Sequence, residues 1–267
     1  MKNQIYKGHL IRKCFGQNFL IDNFVIKNIV NIIDPKPDQS IIEIGPGFGS
    51  LTKVICNKIN NITVIEIDSN LVKYLISNSF LKNKITVIHK NAMMFNFGLF
   101  AKQKGQSIRI FGNLPYNIST QLIFYLFKFN NLIFDMHFML QKEVVNRLIA
   151  KPGNKNYGSL SVIIQYYCNV IPILEVLPTS FIPIPKVYSS FVKLVPHKKK
   201  QYFVKNINLL KFITKQAFNN RRKTIKNSLK KYFNVNQLIN LNINPELRAE
   251  NISFEEYCKM SNYLDVI

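Results

Sequence analysis

Acidic residues are scarce in this chain of 267 residues: 14 aspartates and glutamates stand against 36 lysines and arginines, a formal net charge of +22. Such an imbalance argues against an acidic or neutral partner and for a polyanion such as nucleic acid. Codon bias discounts this reading, because Lys, Asn and Ile, whose codons are rich in A and T, are used heavily throughout. Cysteines are few and dispersed: Cys14, Cys56, Cys168 and Cys258 form no C-x-x-C pair. The histidines His9, His89, His137 and His197 are equally scattered. Neither zinc-ligand spacing nor a disulfide framework is present, so reduced structural thiols and no metal are expected. No stretch approaches the roughly 20 apolar residues that cross a bilayer, and Met1-Lys2-Asn3-Gln4-Ile5 opens no apolar signal core. A cytoplasmic protein with no membrane partner is therefore expected. Repeats and low-complexity tracts are also missing. With 47% hydrophobic residues, the chain has enough to build a large domain and a small appendage.

What is there alternates. Val25, Ile26, Ile29, Val30 and Ile33 recur at helical spacing, and Pro35 and Pro37 end that helix. Ser40–Ile44 reads as a buried strand running into a glycine turn, with a helix over 51–58. Further β-branched runs at 62–67, 85–88 and 107–111 predict strands, a helix falls at about 70–80, and apolar runs at 134–140 and 191–195 supply more strands. This order predicts an α/β domain with a mainly parallel sheet. After the charge run His197-Lys198-Lys199-Lys200 the pattern becomes helical. The expected division is residues 1–200 as the α/β domain and 201–267 as a small all-α domain.

Gly45-Pro46-Gly47-Phe48-Gly49 sits between a predicted strand and a predicted helix. Glycines there allow a tight turn and close backbone approach to a ligand at a helix N-terminus. Glu66, 21 residues after Gly45 at the end of the next strand, suits the two hydroxyls of a ribose. The run is G-x-G-x-G followed by Ser50, so the dinucleotide fingerprint G-x-G-x-x-G is incomplete. A structural turn remains open on this motif alone.

A second motif, Asn113-Leu114-Pro115-Tyr116, follows the fourth predicted strand. The exocyclic amine of adenine is a poor nucleophile because its lone pair is delocalised into the ring. The amide oxygen of Asn113 and the carbonyl of Leu114 suit its two hydrogens, Pro115 stiffens the turn, and Tyr116 offers a ring for stacking, worth about 1–3 kcal/mol per base. With a sulfonium as methyl donor no strong base is needed, and positioning with fixed dipoles carries the reaction. The pair of motifs points to S-adenosylmethionine as the cofactor.

Together with these motifs, Phe15-Gly16-Gln17-Asn18-Phe19-Leu20, Gln141-Lys142-Glu143-Val144 with Arg147, Tyr157–Val162, Phe181-Ile182-Pro183-Ile184-Pro185-Lys186-Val187, and Phe218 followed by Arg221-Arg222-Lys223-Thr224 and Asn227-Ser228-Leu229 stand in order along the chain. The sequence resembles the 16S ribosomal RNA adenine N6,N6-dimethyltransferase family over nearly its full length. The resemblance implies a Rossmann-like class I methyltransferase domain with a small helical domain. It also implies dimethylation of two adjacent adenosines in a hairpin loop near the 3′ end of 16S rRNA, on a pre-assembled small ribosomal subunit. Asn18, Leu20, Gly45, Gly47, Glu66, Asn91 and Asn113 would hold the cofactor. Asn113, Leu114, Pro115 and Tyr116 would hold the amine, with Phe181 closing a sandwich on the adenine opposite Tyr116.

Three positions depart from the family pattern. Asn91 stands for an aspartate that accepts from the cofactor's adenine amine, Tyr188 for the aspartate after Pro-Lys-Val, and Cys14 for a basic residue. For RNA contact the expectation is Arg12 and Lys13, Arg147, and a cationic helix face carrying Arg221, Arg222 and Lys223, backed by the apolar positions Phe218, Ile225 and Leu229. Nothing calls for an obligate dimer, and a monomer is expected. The alternatives are a 23S rRNA adenine methyltransferase of the antibiotic-resistance type, a DNA adenine methyltransferase, an assembly factor that only binds immature subunits, and an NAD-dependent oxidoreductase.

Overall fold

The computed structural model describes residues 4–199 and 202–265. It divides into two compact units: the chain through Lys142 with Ile171–Pro196, and Glu143–Val170 with the chain from His197 on. The second unit is larger than the residues after 200 alone, because it takes in Glu143–Val170.

The first unit is built on a seven-stranded sheet. Its strands are β1 (Ser40–Ile44), β2 (Ile62–Glu66), β3 (Ile85–His89), β4 (Ile108–Asn113), β5 (Ile133–Gln141), β6 (Cys168–Val176) and β7 (Ser189–Pro196). They lie in the order β3-β2-β1-β4-β5-β7-β6. The pairs β1–β2, β1–β4, β2–β3 and β4–β5 are parallel, and β5–β7 is antiparallel. Strands β1 and β2 are buried at every residue, which is why they read as unbroken β-branched runs: a parallel sheet is covered on both faces. Strand β6 escapes the pattern. Pro172 interrupts it and its middle residues are exposed, as an edge strand tolerates and an internal one does not.

Helix α1 (Asn23–Ile33) precedes β1, and α2 (Ser50–Ile55), α3 (Ser69–Ser77), α4 (Phe97–Lys104) and α5 (Ser119–Leu126) connect successive strands from β1 to β5. Asp22 caps α1 through the N–H groups of Phe24 and Val25. The apolar stripe Val25, Ile26, Ile29, Val30 and Ile33 is buried, in one core with Ile55, Val64, Phe111 and Phe191. Chain order reverses between β1 and β4, so the carboxyl ends of β1, β2 and β4 open a crevice at a topological switch point, where open α/β sheets bind ligands.

The second unit holds α6 (Lys142–Ile149) from Glu143 on, α7 (Ser159–Tyr167), α8 (Ile207–Phe218), α9 (Ile225–Ser228), α10 (Val235–Asn240) and α11 (Phe254–Leu264). Leu210, Ile213, Ile225, Leu229, Leu238, Ile252 and Tyr257 are its buried centre. The expected continuous helix through Phe218–Leu229 does not form. Helix α8 ends at Phe218, and Thr224 then adopts extended backbone and bridges Arg248. Arg221, Arg222 and Lys223 therefore lie in a turn. Among the described residues no helix is long and apolar enough to cross a membrane.

Candidate active site

A cavity of about 410 Å³ lies in the crevice of the first unit. It is lined by the N-terminal segment Cys14–Leu20, the glycine loop after β1, the end of β2, residues 90–93, and Asn113–Ile118 after β4. The motifs quoted for cofactor and amine thus face one space.

Gly45 takes φ +67°, and a Cβ placed on it would meet nothing within 4 Å. The backbone there is left-handed and open to a ligand, which suits glycine. Glu66 is 5% exposed. Its Oε2 accepts from the N–H of Gly47 at 3.2 Å, and its Oε1 from those of Ile67 and Asp68 at 2.9 and 3.0 Å. Burial raises its pKa, against these three N–H donors, which favour the charged form. They also fix the plane of the carboxylate at the cavity wall.

Glu43 is a second acid on that wall. It is 2% exposed and accepts from the Thr52 hydroxyl at 2.5 Å. Burial, opposed by Thr52 and reinforced by the charge of Glu66, pushes its pKa up to about 8. A carboxyl whose folded pKa is raised contributes stability that is complete below its unfolded value and is lost as pH rises through the folded one. Between about pH 4.5 and 8, the free protein is therefore expected to lose stability relative to Glu43→Gln, by an amount on the order of a few kcal/mol. Denaturant melts of both proteins at either end of that window measure the difference. Parallel profiles would mean that the fold carries Glu43 ionised without cost.

Asn91 accepts from the N–H of Met93 at 2.9 Å and caps the short helical turn Ala92–Met94. Its amide is thereby oriented at the cavity wall. Asn113, at the end of β4, donates from Nδ2 to the backbone carbonyl of Asn18 at 2.7 Å. That bond fixes which end of the amide is which: Oδ1 is the acceptor, and among the described residues it has no partner. Leu114, Pro115 and Tyr116 line the same cavity. The Tyr116 hydroxyl lies 2.5 Å from Ser189 Oγ, which pins the half-buried ring. Just before Asn113, a Cβ on Gly112 would come within 2.4 Å of the Ile44 carbonyl, so glycine lets β4 close against β1 here.

The structure does not bring Phe181 into the cavity. Its ring is fully buried in the core cluster with Leu20, Val25 and Phe191, and its backbone pairs with Leu20. The expected sandwich partner of Tyr116 is here a core side chain. Gln17, Glu43, Asp68 and Ser189 were not singled out for a role from sequence. Gln17, Glu43 and Asp68 lay within recognised motifs, the last at the end of Val64-Ile65-Glu66-Ile67-Asp68, but no spacing could reveal their partners.

The cationic residues are spread over both units. Arg12 is partly exposed and stands 3.6 Å from Asp68, and the Lys13 side chain lies outside the described residues. Arg147, Arg222 and Lys223 are exposed in the second unit. Arg221 is exposed as well, but its guanidinium donates to the carbonyls of Lys155 (3.1 Å) and Tyr157. The structure thus gives Arg221 a role the sequence did not suggest, as a clamp on the 151–158 loop. Arg221→Ala is expected to cost about 1–2 kcal/mol and to speed hydrogen exchange in that loop. Arg221→Lys should rescue little, because one ammonium cannot reproduce the two-armed contact. Unchanged exchange in both variants would refute the clamp.

The family model for ribosomal RNA adenine dimethylase matches residues 8–266. A ribosomal RNA small subunit methyltransferase A from Photorhabdus laumondii is 56% identical over 264 residues, 99% of this chain and 97% of that protein. One of the same name from Escherichia fergusonii is 54% identical over the same shares. Among solved structures, a dimethyladenosine transferase from Plasmodium falciparum superposes with a TM-score of 0.76 at 24% identity, covering 91% of this chain and 95% of that one. The 23S rRNA methyltransferase ErmE gives 0.71 at 19%, covering 92% and 99%. At those identities the superpositions bear on the fold alone, which is that of the class I methyltransferases.

Proposed function

Because the chain belongs to the ribosomal RNA adenine dimethylase family, we propose that it transfers methyl groups from S-adenosylmethionine to the N6 amines of two adjacent adenosines in the hairpin near the 3′ end of 16S rRNA, on the small ribosomal subunit. The observation that carries this reading is Asn113: its Nδ2 is tied to the Asn18 carbonyl, so its Oδ1 is presented in the cavity as an acceptor.

The residues present fit the cofactor. Glu66, held by three backbone N–H groups, suits a ribose diol. Gly45 leaves room for a close approach of the methionine part. Asn91 offers an oriented amide to an adenine edge. When bound, S-adenosylmethionine supplies an electrophilic methyl on sulfur. The protein's part is to hold the target. Asn113 Oδ1 and the carbonyl of Leu114 accept the amine hydrogens and turn the nitrogen lone pair toward the methyl, while Tyr116 stacks on the extruded base. The exposed cations Arg147, Arg222 and Lys223, with Arg12 and Lys13 on the N-terminal segment, suit phosphate contacts, which position RNA without reading its sequence.

The test is transfer of labelled methyl from S-adenosylmethionine to unmethylated small subunits, with mass spectrometry of the digested RNA. N6,N6-dimethyladenosine at two adjacent positions near the 3′ end is the expected product. Tight subunit binding without transfer would overturn the enzymatic reading in favour of an assembly factor.

A further inference from the structure

Three side chains of the N-terminal segment converge on one carboxylate. Asp68 is fully buried and is not itself part of the cavity wall. Gln17 Nε2 donates to its Oδ2 at 2.9 Å, His9 Nε2 stands 3.5 Å from the same oxygen, and Arg12 Nη1 is 3.6 Å from Oδ1. Gln17 is held at its other end too, since its Oε1 accepts from the Arg12 N–H at 2.8 Å and lies 3.3 Å from His9 Nε2. Tyr6 and Phe19 pack on Phe48 of the glycine loop beside this polar knot. The backbone of the same Asp68 donates to Glu66 Oε1 at 3.0 Å. One residue thus anchors the segment with its side chain and the neighbouring acid with its amide.

We propose that Asp68 is a positioning residue for the cofactor cavity: acting through Gln17, it latches the segment Cys14–Leu20 as a wall of the cavity and so sets how tightly the nucleoside cofactor is held. This rests on the cofactor reading above. A buried carboxylate left without donors is costly, so the segment that supplies them is held in place before any ligand arrives. Gln17 faces the cavity, which links the latch to the ligand. Asp68 also caps α3, accepting from the N–H of Asn70 at 3.0 Å, but with Oδ1. The bond to Gln17 uses Oδ2, and this separation makes the latch testable apart from the cap.

Gln17→Glu sets a second carboxylate against Asp68. Adding Asp68→Asn restores a donor–acceptor pair of reversed polarity while keeping an oxygen for the helix cap. Two quantities are read: amide hydrogen exchange of residues 4–20 in the free protein, and the Kd for S-adenosylhomocysteine by calorimetry. Gln17→Glu should accelerate the exchange and weaken binding, each by about tenfold, and the double variant should return both to within about threefold of wild type. In methyl transfer the KM for S-adenosylmethionine should follow the Kd, with kcat at saturation less affected. The proposal is overturned if Gln17→Glu leaves both quantities unchanged, or if the second substitution restores neither. General destabilisation that the double variant does not reverse counts against it too. Failure of the wild-type protein to bind S-adenosylhomocysteine would sink the cofactor reading, while exchange in the free protein would still judge the latch.

Discussion

Asn113→Ala is expected to lower the single-turnover rate of methyl transfer by about 10³-fold at saturating cofactor, with the fold intact. The loss has two sources. The amine loses the acceptor that orients its lone pair, and the Asn18 carbonyl loses the Nδ2 donor that holds it at 2.7 Å. Because Asn18 lines the cavity, affinity for S-adenosylhomocysteine should also weaken, but only several-fold, the cost of one hydrogen bond. The rate effect must therefore exceed the binding effect. Asn113→Asp separates the two sources. It keeps an oxygen to accept from the amine but sets a carboxylate against the Asn18 carbonyl, which repels it. If orientation by Asn18 matters as argued, this variant falls nearly as far as alanine. An aspartate variant close to wild type would mean that any acceptor suffices and that the Asn113–Asn18 bond is incidental. Small-subunit binding should be unchanged in both.

The parts of this site that were legible in the sequence are those contiguous in it. Gly45–Gly49 and Asn113–Tyr116 each bring their residues together within one turn, and the strands before them are recognisable because burial on both faces demands β-branched runs. The contacts that orient those residues are not contiguous. Asn113 reaches back to Asn18, Gln17 reaches Asp68, and Tyr116 reaches Ser189. No spacing encodes such pairs, since they arise only once the sheet is assembled. The same limit explains the corrections. Phe181 has an aromatic side chain at a motif position, yet its pairing with Leu20 puts the ring in the core. Arg221 belongs to a cationic run, and that its guanidinium also donates to carbonyls 66 and 64 residues away could not be read from the run. The run from Phe218 to Leu229 has helical spacing, but a bridge between Thr224 and Arg248 breaks it. Periodicity reports which face of an element is buried, and it is silent on which distant backbone competes for it.

The largest stability effect is expected away from the cavity, at a buried ion cluster near the other ends of the strands. Arg109, on β4, places Nε and Nη2 on the two oxygens of Asp135, on β5, at 2.8 and 2.9 Å. Its Nη1 donates to Gln39 Oε1 at 2.8 Å and to the carbonyl of Asp34, the left-handed residue that ends α1, at 3.3 Å. His137 Nε2 and Lys193 Nζ add to Asp135 at 3.0 and 3.4 Å. Burial alone would raise the Asp135 pKa, but hydrogen bonds from His137 and Arg109, with their charges, hold it well below the ordinary carboxylate range. Asp135→Ala leaves Arg109, at 7% exposure, without its counter-charge in a site that water barely enters. Removing one partner of a buried pair typically costs about 3–5 kcal/mol, and a thermal shift on the order of 10 °C follows for a chain of this size. The pH dependence has the opposite sign to that of Glu43. A depressed folded pKa gives stability that is complete above the unfolded value of 3.8 and is lost as pH falls. The gap between wild type and Asp135→Ala should therefore be full at neutral pH and narrow below about pH 4. A variant replacing both Arg109 and Asp135 with apolar residues of similar size should recover much of the loss. An Asp135→Ala protein as stable as wild type at pH 7 would show that the cluster orients groups already paid for elsewhere in the sheet.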